Sequence, residues 1–207
     1  MLRYPCGMSR QPGPHRKRVR HYHDPGHCHE LTCSCYHQLP LLTNHHWRSL
    51  LSEAIDRANE RHDYHLAAFV YMPEHIHLLV YPGPNASAID RLLTAFKRPF
   101  SFRINRLLDE IKSPLLRKLT IRQRPGVESF RFWQEGPGYD RNLDRAETVL
   151  AAIDYIHRNP ERRGLVDRAI EWQWSSARWY EGLPYAANIR TPKLEKLPAE
   201  FLVQAAR

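Results

Sequence analysis

Residues 72–80 read Met72-Pro73-Glu74-His75-Ile76-His77-Leu78-Leu79-Val80. Side chains alternate faces along a strand, so this run sets Ile76, Leu78 and Val80 on one side and His75 and His77 on the other. The apolar set anchors the strand in a core, and the two imidazoles stand together on the opposite surface. Neutral imidazoles so placed can share one divalent cation. A bare His-x-His equally suits two surface histidines on an ordinary strand. The short Pro73-Glu74 link predicts that strands over 64–72 and 75–82 are antiparallel neighbours.

Upstream, Trp47, Leu50, Leu51, Ala54, Ile55 and Ala58 recur at helical spacing and predict an amphipathic helix over 44–61. Before it, residues 29–36 alternate as a strand, with Leu31, Cys33 and Cys35 on one face. His21, His23, His27, Cys28 and His29 surround that strand. A zinc site is conceivable there, but no Cys-x-x-Cys pair exists, and Cys33 and Cys35 read as small core residues. Downstream, 86–111 reads as a basic helix that Pro99 should kink or split. Residues 112–128 read as an irregular basic connection carrying Arg117, Lys118, Arg122 and Arg124. A short strand is expected near Phe130–Gln134, then a turn at Gly136-Pro137-Gly138. Asp144 and Glu147 have the spacing of a capping box for a last helix, which should stop near Asn159-Pro160. Its apolar stripe is Val149, Leu150, Ile153 and Ile156. Tyr155 and Asn159 fall off that stripe as an i, i+4 pair. That pair could offer a nucleophile and a third metal ligand, or a packed ring and a helix end.

The chain has 207 residues, 42% of them apolar, with 31 Lys and Arg against 22 Asp and Glu for a net charge of +9. That balance favours a polyanionic partner such as nucleic acid. No apolar run approaches the ~18–20 residues of a membrane span, and residues 1–20 lack the apolar stretch of a secretory leader. The expected compartment is the cytoplasm, with the four cysteines as reduced thiols. Residues 1–20 read as a basic, disordered tail, 21–183 as one catalytic domain and 184–207 as a loosely attached tail.

The segments MPEHIHLLV, FWQEGPGYDR, AAIDYIHRNPERRGLV and WQWSSARWY, in this order and spacing, resemble the REP-associated tyrosine transposases. These are a branch of the single-tyrosine HUH transposases of small insertion sequences. The resemblance spans roughly residues 20–183. It implies an α+β fold: a ferredoxin-like core with a central antiparallel sheet flanked by helices. It also implies His75 and His77 as metal ligands, Asn159 as the third, Tyr155 as nucleophile, and Mg²⁺ or Mn²⁺ as cofactor. Glu74 stands where asparagine is common. Asp140 and Arg141 match a family position.

The implied reaction is cleavage of single-stranded, hairpin-bearing DNA such as a REP element through a 5′-phosphotyrosine. A free phenol ionises near ~10, and nearby positive charge favours a phenolate. The covalent link conserves the bond, so a 3′-OH can rejoin the strand. Arg16, Lys17, Arg18, Arg20, Lys97, Arg98, Arg103, Arg106 and Arg141 are candidate contacts to a DNA backbone. Trp133 is a candidate stacking platform, or a core residue. A nucleoid-associated monomer or homodimer is expected. Alternatives are a catalytically idle nucleic-acid-binding protein of the same fold, or a hydrolase that activates water with Tyr155 as a structural residue.

Overall fold

The computed structural model describes residues 27–136 and 138–199. The basic residues Arg16, Lys17, Arg18 and Arg20, with His21 and His23, lie outside them. The elements run β1 (Cys28–Ser34), α1 (His45–His62), β2 (Tyr64–Tyr71), β3 (His75–Pro82), α2 (Ile89–Glu110), α3 (Pro114–Leu119), β4 (Thr120–Arg124), β5 (Val127–Phe130), β6 (Tyr139–Leu143), α4 (Ala146–Arg162) and α5 (Ala177–Tyr180). The central sheet has the order β2-β3-β1-β6, with every pairing antiparallel. This is the ferredoxin-like α+β core expected from the resemblance.

The sheet is covered on both faces. Ile76, Leu78 and Val80 of β3 join Leu31 and Cys33 of β1 in a core with Leu51 and Ile55 of α1 and Phe96 and Phe100 of α2. The other face of β3 carries the two histidines at its start. It continues as Leu79 and Tyr81, buried in a second core with Val149, Ile153 and Ile156 of α4. Both apolar faces need cover, because an uncovered one leaves its hydrocarbon in water.

Several local expectations are corrected. Pro99 does not split α2, which is continuous from Ile89 to Glu110. Buried Phe96 and Phe100 flank it on the core face. Burying such side chains contributes ~1.5–3 kcal/mol each, enough to offset the ~3 kcal/mol cost of an internal proline. The 112–128 stretch is not irregular: it forms α3 and a two-stranded antiparallel ribbon, β4–β5. Its turn signal is Pro125-Gly126, with Gly126 at φ +75°. The strand expected near 130–134 ends at Phe130, and Trp133 makes only an isolated bridge to Cys35. Residues 139–143, whose charged residues hide any alternation, form the edge strand β6.

Asp144 does not cap α4. Leu143 is held extended by its pairing with Cys28, so the helix begins at Ala146 with Arg145 at its N-cap and no side-chain cap. Nor does α4 stop at Asn159-Pro160. Pro160 falls in the last turn, and the helix closes two residues later in a Schellman arrangement. There, Gly164 N–H donates to Glu161 O (2.8 Å) and Leu165 N–H to Pro160 O (2.9 Å), with Gly164 at φ +64°.

The segment 172–176 closes the outer edge of β2. Tyr71 N–H donates to Trp174 O (2.8 Å) and Ser176 N–H to Phe69 O (2.9 Å), so the segment covers the edge at its Phe69–Tyr71 end. Residues 184–199, read as loosely attached, lie against the domain. Arg190 pairs with Glu53 at 3.0 Å, and Glu195 N–H donates to Leu66 O at 2.9 Å. Trp174 is only 2% exposed and stacks on Tyr71 with centroids 6.2 Å apart. Trp174→Ala should lose about 3–5 kcal/mol, read as a lowered denaturant midpoint.

Candidate active site

β3 and α4 build the site together. His75 and His77 share the β3 face that α4 covers. His77 is 5% exposed, and its Nε2 lies 3.1 Å from Nε2 of His75. Asn159, buried on α4, sets its amide nitrogen 3.3 Å from the same His77 Nε2. Tyr155, one turn earlier, is 39% exposed. Its ring stands edge to face with His77 of the same chain, centroids 5.5 Å apart. These four residues line one open cleft of ≈ 460 Å³ with Thr32, Gln38, Glu74, Arg162 and Arg163.

The far nitrogens of both imidazoles are engaged. His77 Nδ1 meets Thr32 Oγ1 at 2.9 Å, a partner fixed by the register that sets Thr32 opposite His77. His75 Nδ1 meets Glu74 Oε1 at 3.2 Å, and the same carboxylate oxygen takes Arg163 Nη2 at 2.8 Å. A carboxylate can only accept, so His75 carries its proton on Nδ1 and turns a lone pair into the cleft. Thr32 Oγ1 can accept the His77 Nδ1 proton; in that tautomer two lone pairs converge, as a shared cation would require, and rotation of the Asn159 amide adds a carbonyl oxygen. Such a donor set suits a divalent cation. Among the described residues no cluster of three His, Cys, Asp or Glu side chains forms a metal site; the set here is two imidazoles and a carboxamide.

Burial keeps these rings neutral. It pushes His77 down to about 3, with a smaller contribution from neighbouring His75. It also lowers His75, against the opposing pull of Glu74. His157 points elsewhere. Its Nε2 contacts Ser176 Oγ at 2.8 Å, and burial pushes it down to about 4.

The candidate DNA contacts do not converge. Trp133 is 6% exposed and packs beside Phe100 and Phe132, which makes it a core residue rather than a platform for bases. Arg103 pairs with Glu53 at 2.9 Å on the α1 side, and Arg106 pairs with Glu110 at 3.3 Å. Arg141 reaches Glu30 at 3.9 Å, and Asp140 takes His29 Nδ1 at 3.0 Å; both tie β6 to β1. Lys97 and Arg98 line a separate groove with Phe102 and Phe130. Sequence reasoning missed Thr32, Arg162 and Arg163. The arginines lie seven and eight residues beyond Tyr155, in the last turn of α4 and at its C-cap, a spacing hidden by ending that helix at Pro160.

A family model described as "Transposase IS200 like" matches residues 25–136, more than half of the chain. The protein belongs to the IS200-like transposases. The matched region contains His75 and His77 but stops short of α4. Among solved structures, a REP-associated tyrosine transposase bound to a REP hairpin is similar in fold: TM-score 0.64, 16% identity, covering 88% of this chain and 96% of that one. A Deinococcus radiodurans R1 protein, whose assignment as a transposase is provisional, gives a TM-score of 0.42 at 18% identity, covering 69% of this chain and 96% of that one. No curated protein matches the chain. No helix among the described residues is long and apolar enough to cross a membrane.

The buried histidines set an acid limit on stability. Unfolded histidine titrates near ~6.5, whereas His77 and His157 stay neutral in the fold down to about 3 and about 4. The unfolded chain therefore binds more protons in that window. Stability is full above the unfolded value and falls as the pH drops through it. Denaturant midpoints should decline from neutral pH toward pH ~4, and His157→Gln should flatten part of that decline. A variant whose profile has the wild-type slope would contradict the assignment.

Proposed function

We propose that this transposase cuts and rejoins single-stranded DNA with Tyr155 as nucleophile and His75, His77 and Asn159 as holders of Mg²⁺ or Mn²⁺. The observation that carries this reading is the Tyr155 ring against His77 in an open cleft, where the histidines turn their Nε2 atoms toward each other. Water-excluded hydrocarbon around Tyr155 would have argued against it; the ring is partly exposed at the cleft instead.

In the reaction, the Tyr155 oxygen attacks phosphorus in line and gives up its proton. The bond from phosphorus to the 3′ oxygen breaks, and that oxygen takes up a proton as a free 3′-OH. The 5′ end stays bound as a phosphotyrosine. A second strand's 3′-OH reverses the exchange, so no bond energy is lost to water. The cation held by the three ligands, when bound, supplies Lewis acidity and charge relief at the phosphoryl oxygens. Arg162, its guanidinium 5.3 Å from the Tyr155 ring centroid, adds fixed positive charge where the phosphate would sit. Glu74, anchored by Arg163, holds His75 in its ligating tautomer. Tyr155 faces His77 of its own chain, and we take the site as complete within one subunit.

The substrate class is supported by the fold's likeness to a protein whose solved complex contains a REP hairpin. We take hairpin-bearing single-stranded DNA as the target, and with it a location at the nucleoid. Incubated with such DNA and Mn²⁺, the wild type should give a covalent protein–DNA species on a denaturing gel, and Tyr155→Phe none. Binding without any adduct would favour an idle binding protein. Cleavage persisting in Tyr155→Phe would favour a hydrolase. Separately, Glu74→Ala should weaken Mn²⁺ binding by roughly 10–100-fold in calorimetry, with the fold intact by circular dichroism.

A further inference from the structure

Seven of the nine net positive charges of the chain fall between residues 97 and 131, where ten basic residues face three acidic ones. That stretch is the second half of α2, then α3 and the β4–β5 ribbon. Ion pairing does not neutralise it: among the described residues Arg98, Arg117, Lys118, Arg122 and Arg124 have no carboxylate within salt-bridge distance, while Arg103, Arg106 and Arg131 do. Glu128 is opposite Arg122 in the ribbon register without closing a pair. Uncompensated cations repel one another and raise the energy of the free protein unless a polyanion offsets them.

Between α2 and residues 129–136 runs an open groove of ≈ 710 Å³, walled in part by Lys97, Arg98, Phe102, Phe130 and Gln134. Phe102 is 64% exposed, an unusual place for a phenyl ring on a helix that buries its other phenylalanines. Every base has a face that can stack on such a ring, whereas paired bases in a duplex keep theirs covered. The groove also adjoins the cleft. Gln134, in the groove wall, donates its N–H to Ser34 O at 2.8 Å and takes His37 N–H on Oε1 at 3.1 Å. Ser34 in turn lines the cleft with Tyr155 and the histidines. Phe130, at the end of β5, joins the groove to the arginine ribbon.

We infer that this groove is the track for the unpaired strand outside the cleft, with Phe102 as its base platform, Lys97 and Arg98 on its phosphates, and Arg122 and Arg124 of the ribbon extending that backbone contact. The inference rests on the nucleic-acid reading above but not on Tyr155 chemistry. The test therefore measures binding alone, in a Tyr155→Phe background with chelator present, using oligothymidylate of about 16 nucleotides. Phe102→Ala should weaken binding by about 5- to 100-fold and Phe102→Trp should restore it. Arg122→Ala with Arg124→Ala should make the slope of log affinity against log salt less steep by about 1.4. Both sets lie on exposed side chains, so unfolding midpoints should match the parent. Unchanged affinity in Phe102→Ala, an unchanged salt slope, or tighter binding of a blunt duplex of equal length would overturn the track. Absence of an adduct in the wild type would instead overturn only the cleft chemistry.

Discussion

Everything at the site depends on how α4 covers one face of β3. That face carries His75 and His77 at one end and Leu79 and Tyr81 at the other. Val149, Ile153 and Ile156 must bury the apolar end to keep their own hydrocarbon from water. Once they do, the helix has no freedom left. Tyr155 and Asn159, a turn apart, come down over the histidine end. Packing energy thus positions the polar groups.

The opposite face of the same strand supplies stiffness. Ile76, Leu78 and Val80 are locked into the core built by α1 and α2, so the histidine backbone cannot drift. Lateral pairing supplies orientation: β1 brings Thr32 against His77, and the β2–β3 turn brings Glu74 against His75. Each ring has its outer nitrogen tied and its inner nitrogen turned to the cleft. Desolvation then disfavours the charged rings. The result is a pair of neutral donors at neutral pH, which is the form a metal ligand needs.

Much of this was legible in the chain. His-x-His alternation, the α1 stripe and the Tyr155–Asn159 spacing are periodic signals, and periodicity survives reading from sequence alone. The misses share a cause. Thr32 depends on strand register, which no local pattern fixes. β6 is a polar edge strand whose Asp140 meets His29 of the neighbouring β1. Pro99 reads as a kink or a split and Pro160 as a stop, yet α2 runs on past the first, and the second falls in a last turn where one missing donor matters less. Accepting the Pro160 stop hid Arg162 and Arg163, and with them the support beneath His75. Trp133 stands in sequence as an aromatic near cations, while Phe102, the exposed ring of that region, has no distinguishing sequence context.

The claim at the centre of this account is that one phenol oxygen takes the phosphate. Digestion of the protein after reaction with hairpin-bearing single-stranded DNA, followed by tandem mass spectrometry of the nucleotide-bearing peptide, reads that atom directly. The modification is expected on Tyr155, with the released strand ending in a 3′-OH. A nucleotide carried on any other residue, or unmodified protein alongside cleaved DNA, would contradict it.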